Sequence, residues 1–123
     1  MKLHADTLTA LNTVTSYGAD FVEINQVRHA THVIVTPDQV LPWALASFES
    51  LDASHFERLR DLRTEVVLLG TGARQRFPHP QLSRALADAR IGLEVMDTPA
   101  ACRTYNILMA ESRKVAAALL IGG

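Results

Sequence analysis

Residues 66–77 read VVLLGTGARQRF. The apolar run that opens this stretch has no polar interruption, which suits an interior strand covered on both faces. Gly70, Thr71 and Gly72 follow, and then Arg74 and Arg76. In α/β proteins the carboxyl ends of such strands are where ligands gather. The stretch therefore fixes the fold class, and it poses a question. The turn either holds an anion or lets the backbone change direction against a neighbour.

Working outward, Glu65 to Leu69 reads as the strand itself. Pro80 suits the first turn of a helix over about 80–90, with Leu82, Ala85, Leu86 and Ala89 on one side and Gly92 to end it. Leu93 to Met96 is a second strand. Thr98-Pro99 reads as an N-cap followed by proline at the first helical position of a helix running to about Arg113. Val115 to Ile121 is a third apolar strand. Connections that contain helices call for parallel pairing.

Before this unit, Ser54 suits the N-cap of a helix over about 55–63, with Phe56, Leu59 and Leu62 on one stripe. Phe21 to Asn25 alternates as a half-buried strand does, and Thr31 to Thr36 is rich in β-branched residues. The short link between them predicts that they pair as an antiparallel hairpin, which Pro37 and Asp38 terminate. Leu41, Trp43 and Leu45 anchor a linking segment. Residues 1–18 are expected as an irregular arm, with a turn at Tyr17-Gly18. The expected fold is α/β: a three-layer sandwich with a mixed, largely parallel sheet plus an N-terminal β-hairpin, as a single domain over 1–123.

Composition narrows the function classes. The chain has 123 residues, 48% hydrophobic and 20% charged, with a net charge of -1. That balance fits a globular domain and argues against nucleic acid as the main partner. No window of about 20 residues is apolar enough to span a bilayer, so no direct membrane insertion is expected. The N-terminus lacks a signal-peptide core, and Cys102 is the only cysteine. Together these point to a cytoplasmic, reducing setting.

No complete catalytic or metal motif is visible, and no cofactor is expected. The histidines at 4, 29, 32, 55 and 79 lack metal spacing and carboxylate or cysteine partners at usable intervals. Cys102 near a helix start could have an activated thiol, but it has no base in a shared motif, and a buried inert thiol is the simpler reading.

The glycine turn departs from both nucleotide-loop patterns. The third glycine of the dinucleotide fingerprint is missing, and no Gly-Lys-Ser/Thr follows. Phe77-Pro78 also separates the glycines from the next helix, whereas a phosphate cradle needs free helical N–H groups directly behind them. The turn is therefore expected to shape backbone. Asn106 is unfavourable in a helix interior and is expected to tie down backbone near the glycine turn, with a ligand contact as the alternative. Glu111 and Arg113 are read as ion-pairing groups at the helix end.

Taken in order, Gly70-Thr71-Gly72, Met96-Asp97-Thr98, Ala101, Thr104-Tyr105-Asn106, Glu111-Ser112-Arg113 and an alanine-rich tail form a recognisable set. The chain resembles the domain-of-unknown-function family numbered 498. That family includes bacterial and archaeal proteins, a mitochondrial assembly factor for respiratory complex I and an adipogenesis-associated animal protein. The resemblance implies a compact α/β domain and a role through protein contacts, and it carries over no catalytic residue.

The expected function is a non-enzymatic interaction domain that assists assembly of a respiratory or other multiprotein complex, with another protein as partner. The alternative is a small-molecule or anion-binding domain with its site at Gly70–Gly72. A homodimer through the exposed edge of Phe21–Thr36 is a further option. The candidate pocket or interaction residues are Gly70, Thr71, Gly72, Arg74, Thr98, Thr104, Asn106, Glu111 and Arg113.

Overall fold

Period-two alternation organises the fold. In β6 (Val66–Gly70) and β8 (Val115–Leu119) every residue is buried, and neighbours along each strand point to opposite cores. Val66, Leu68, Val115, Ala117 and Leu119 join one apolar cluster; Val67, Leu69, Ala116 and Ala118 join the other. A computed structural model describes residues 11–122.

The five-stranded sheet runs β5-β4-β8-β6-β7, with β4 at Val33–Thr36, β5 at Gln39–Pro42 and β7 at Gly92–Met96. β6 pairs in parallel with both β7 and β8, while β4 pairs antiparallel with both β5 and β8. The expected mixed sheet is present, but parallel and antiparallel pairings are equal in number, so it is not largely parallel. Pro37-Asp38 does more than end a strand: it turns the chain straight back into β5. The side chain of Thr36 accepts from the Gln39 amide at 3.0 Å.

A second sheet has the order β1-β2-β3, with β1 at Val14–Gly18, β2 at Phe21–Ile24 and β3 at Val27–His29. Two expectations are corrected here. Val14–Gly18 is a strand rather than an irregular arm; the part of that arm before residue 11 lies outside the described residues. The two segments read as one hairpin belong to different sheets. β2 turns at Asn25-Gln26, where both residues have positive φ (52° and 68°), and pairs with β3. Positive φ at both central residues is the two-residue hairpin geometry that matches strand twist.

Among the described residues, three α-helices cover the large sheet. α3 (Thr98–Ala110) buries Ala101, Cys102, Tyr105 and Met109 in the cluster shared with Val14, Val22 and Ile24 of the small sheet. α1 (Ala53–Arg60) and α2 (Arg84–Asp88) contribute Phe56, Leu59 and Leu86 to the opposite cluster with Trp43. Asp52, not Ser54, caps α1: its side chain accepts from the Ser54 amide at 2.9 Å. The segment expected as one helix over 80–90 divides into a 3-10 turn, Pro80–Ser83, and the short α2. Gly92 begins β7 rather than ending that helix, and Arg90 takes the left-handed position after it (φ 61°).

Asn106 joins α3 to the small sheet. Its side-chain oxygen accepts from the Val14 amide at 2.9 Å, and its amide nitrogen donates to the Val14 carbonyl at 2.8 Å. It does tie down backbone, but at the edge of β1 and not near the glycine turn. Asn106→Ala is expected to cost about 2 kcal/mol, from two net hydrogen bonds at a part-buried edge. Amide exchange should quicken in β1 ahead of β6 and β8. Uniform quickening across both sheets would show that the clamp is not local.

Candidate functional site

The glycine turn is closed by protein groups. Gly70 packs against the start of α3: a Cβ there would meet Thr98 Oγ1 and Leu119 Cδ2 at 3.0 Å and Thr98 Cα at 3.1 Å. Gly72 has φ of 93°, a region that favours glycine. Thr98 sits between the turn and β8. Its Oγ1 accepts from the Gly72 amide at 2.8 Å and donates to the Leu120 carbonyl at 2.7 Å, while its own amide donates to the Gly72 carbonyl at 2.8 Å. Leu120 N donates to the Gly70 carbonyl at 2.9 Å, which completes the closure.

Thr71 is buried and fastens the next limb of the loop. Its hydroxyl donates to the Arg74 carbonyl at 2.7 Å and accepts from the Arg76 amide at 3.0 Å. Arg76 folds back: Nη2 donates to the Thr71 carbonyl at 2.8 Å, and the guanidinium lies 4.6 Å from the centre of the Phe48 ring and reaches Glu49 at 3.4 Å. The Arg74 side chain is exposed. The loop stays irregular through His79.

The helix end that does adjoin the turn belongs to α3, and its first amides are occupied. Thr98 N donates to Gly72 O, Pro99 has no N–H, Ala100 N donates to Asp97 Oδ1 at 2.8 Å, and Ala101 N donates to Asp97 O at 3.0 Å. An anion placed here would find no free helical donor in that turn.

The nine candidate positions do not converge. Gly70, Thr71, Gly72 and Thr98 form one buried junction. A mainly apolar hollow of about 320 Å³ lies beside it, walled by Tyr17, Gly18, Phe21, Gly72, Thr98 and Leu120 among others. Asn106 does not line that hollow. Thr104 is half-buried on α3. Glu111 is exposed at the C-cap and has no ion pair among the described residues, contrary to the expected pairing. Arg113 does pair, with Glu65 at 3.2 Å. The Lys114 amide and then the Arg113 guanidinium hold the Glu65 carboxyl below its ordinary range.

Arg113 also borders a larger basin of about 590 Å³ at the other end of α3, with Leu62, Arg63, Met109, Ser112 and Lys114. The sequence reading missed Arg63 and Lys114. For Arg63 the available signal was its place just after a helix, where glycine is the usual residue; Lys114, directly before β8, carried no such signal.

Cys102 is fully buried, and desolvation pushes its thiol up to about 12. It is expected to resist a thiol reagent at pH 8 in the native state and to react at once in denaturant. Fast native labelling would reopen a chemical role. Among the described residues, no group of three or more His, Cys, Asp or Glu is placed to hold a metal ion, and no helix is long and apolar enough to cross a membrane.

These features define a small mixed α/β domain whose glycine turn is a structural junction. The chain belongs to the family described as "Protein of unknown function (DUF498/DUF598)", whose pattern matches residues 14–120. It is 33% identical over 109 residues to the human "NADH dehydrogenase [ubiquinone] 1 alpha subcomplex assembly factor 3", covering 87% of this chain and 59% of that protein. The zebrafish counterpart is 39% identical over 88 residues, 70% of this chain and 51% of the relative. The chain thus spans between half and three-fifths of these relatives. A "13 kDa major membrane protein" of Francisella tularensis is 28% identical over 84% of each chain. Among solved structures, a Bordetella parapertussis protein superposes with a TM-score of 0.87 at 45% identity, covering 91% of this chain and 97% of that one.

Proposed function

We propose that this chain is a protein-docking domain that assists assembly of a larger complex, without catalysing a reaction. The reading takes residues 1–123 as one three-layer α/β domain of the cytoplasm: the five-stranded sheet lies between α1 with α2 on one side and α3 with the small sheet on the other. The supporting observation is the similarity to assembly factor 3 over 87% of this chain. Its support within the fold is the glycine junction, whose donors are spent on acceptors within the chain. An exposed aromatic, Phe77 (69% exposed), stands on a loop that Thr71 and Arg76 hold. Exposed aromatics on held backbone suit protein contacts.

The test is deletion of the gene, followed by native-gel profiling of the cell's multiprotein complexes and purification of partners through the tagged chain. The expected result is the build-up of one subassembly whose subunits also co-purify with the chain. An unchanged profile with no enriched partner would overturn the reading. In parallel, nucleotides and inorganic phosphate at 1 mM are expected to leave the thermal midpoint unmoved; clear stabilisation by any of them would favour an anion site at Gly70–Gly72.

A further inference from the structure

We propose that the basin between the ends of α1 and α3 binds a small anionic amphiphile, a phosphate or carboxylate head on an apolar body. This site is separate from the glycine junction and does not depend on the docking role. The basin holds about 590 Å³, within the range of small-molecule sites. Leu62, Met109 and Val115 supply its apolar surface. Arg63, Ser112 and Lys114 supply two cations and a hydroxyl.

These three groups are uncommitted among the described residues. Arg63 and Lys114 have no carboxylate within 4.0 Å, and the Ser112 hydroxyl makes no hydrogen bond. Their neighbours are engaged: Arg113 pairs with Glu65, and Asp38 accepts from the Thr36 hydroxyl at 2.9 Å. Among the described residues, Asp38 is the one carboxylate lining the basin, with Glu65 just outside it, so three cations outnumber these two anions there. The charge balance therefore suits an anionic head.

The backbone fixes where two of these side chains stand. Arg63 (φ 58°) and Ser112 (φ 64°) hold the left-handed positions that close α1 and α3. The Arg63 amide donates to Arg60 O, and the Arg113 amide after Ser112 donates to Leu108 O, as in a helix-ending turn. Glycine is the low-strain residue at such positions. At both helix ends that flank this basin, a polar side chain stands where glycine would fit with less strain. Arg90 (φ 61°) stands likewise after α2, away from the basin, so what the two turns contribute here is the placement of Arg63 and Ser112 at its walls.

The test titrates the isotope-labelled full chain with octyl phosphate, inorganic phosphate and octyl glucoside, each below its micelle concentration, and follows backbone amides. Octyl phosphate is expected to shift Arg63, Ser112, Arg113 and Lys114 saturably, with a dissociation constant on the order of 0.1–1 mM. The two partial ligands should bind at least about tenfold more weakly, because each lacks either the apolar body or the charge. Arg63→Gly separates folding from binding. It should raise the thermal midpoint by a few degrees, through relief of strain, and weaken octyl phosphate about tenfold, through loss of a charged hydrogen bond. Equal binding of octyl glucoside, or full affinity in Arg63→Gly, would overturn the proposal. Co-sedimentation with phosphatidic acid vesicles then names the source: pelleting with them assigns a lipid head group, and octyl phosphate binding without pelleting assigns a free metabolite. No saturable shift at these amides would end the proposal, whatever the deletion experiment shows.

Discussion

Thr98→Val is expected to lower stability by about 3 kcal/mol, while Thr98→Ser stays within about 1 kcal/mol of the parent. Valine keeps the shape and the branched Cβ but has no hydroxyl. The Gly72 amide then loses its acceptor at 2.8 Å, and the Leu120 carbonyl loses its donor at 2.7 Å. Thr98 is 7% exposed, so water does not readily replace either partner. Leaving a buried donor or acceptor unsatisfied costs about 1–3 kcal/mol each, more than the bond itself contributes net. In a chain of this size the midpoint should fall by roughly 10 °C. Serine restores both bonds and loses one methyl group. Urea unfolding of the three proteins decides the matter. A serine variant as unstable as the valine one would mean that methyl packing dominates and that the hydroxyl does not close the junction.

The same residue shows where sequence reasoning stops. Thr98-Pro99 has the pattern of an N-cap and first helical residue, but Thr98 is the first residue of α3, and Asp97 is the cap. Local pattern favoured threonine equally. What removed it is a pair of tertiary partners 26 and 22 residues away, Gly72 and Leu120, which use the hydroxyl. At α1, Asp52 likewise displaced Ser54. The small sheet was misread for a related reason. FVEIN alternates as a half-buried strand does and THVIVT is rich in β-branched residues, so both read as strands, and the short polar link suggests that they pair. The two-residue turn at Asn25-Gln26 lacks the glycine that advertises such turns, so β3 was not seen. Strands β6 and β8 were legible because burial on both faces leaves an unbroken apolar run, whereas β7, half-buried with Glu94 exposed, and α3 were legible from the short polar turns and the Asp97-Thr98-Pro99 start that bound them.

For the candidate site, the turn's role was legible and its surroundings were not. The displaced helix start at Pro80 argued for a backbone corner, and the loop is indeed irregular up to His79. Arg74 and Arg76 looked equivalent in sequence. Arg76 bonds to Thr71 and lies over Phe48, while the Arg74 side chain is exposed. The difference is set by where the 3-10 turn Phe48–Ser50 packs, and no local pattern around residue 74 encodes that. The basin escaped notice because its walls come from Leu11 and from residues 36–39, 62–64 and 109–115, stretches far apart in sequence that only the folded chain brings together.

Tyr105→Ala should be the most damaging single change considered, at about 4 kcal/mol, against about 1 kcal/mol for Tyr105→Phe. Tyr105 is the largest side chain that is fully buried, and it packs where α3, the large sheet and the small sheet meet. Its hydroxyl donates to the Asn12 carbonyl at 2.8 Å. Asn12 in turn donates to Thr36 O through its side chain and to Pro37 O through its amide, each at 2.9 Å. Burial pushes the phenol's ionisation upward, so it remains a donor through the alkaline range in which the protein would be handled. Alanine removes the ring and leaves a cavity bounded by three elements that cannot all collapse into it. Phenylalanine removes the donor alone, and the Asn12 carbonyl lies close enough to the surface to find water. The loss in the alanine variant would take a large share of the 5–15 kcal/mol that a domain commonly has. Denaturant unfolding read by far-UV dichroism gives the two values. If phenylalanine costs as much as alanine, the Asn12 bond and not the ring holds the small sheet to α3. In that case Asn106, which clamps Val14 two residues beyond Asn12 at the start of β1, should show strong non-additivity with Tyr105 in a double-mutant cycle.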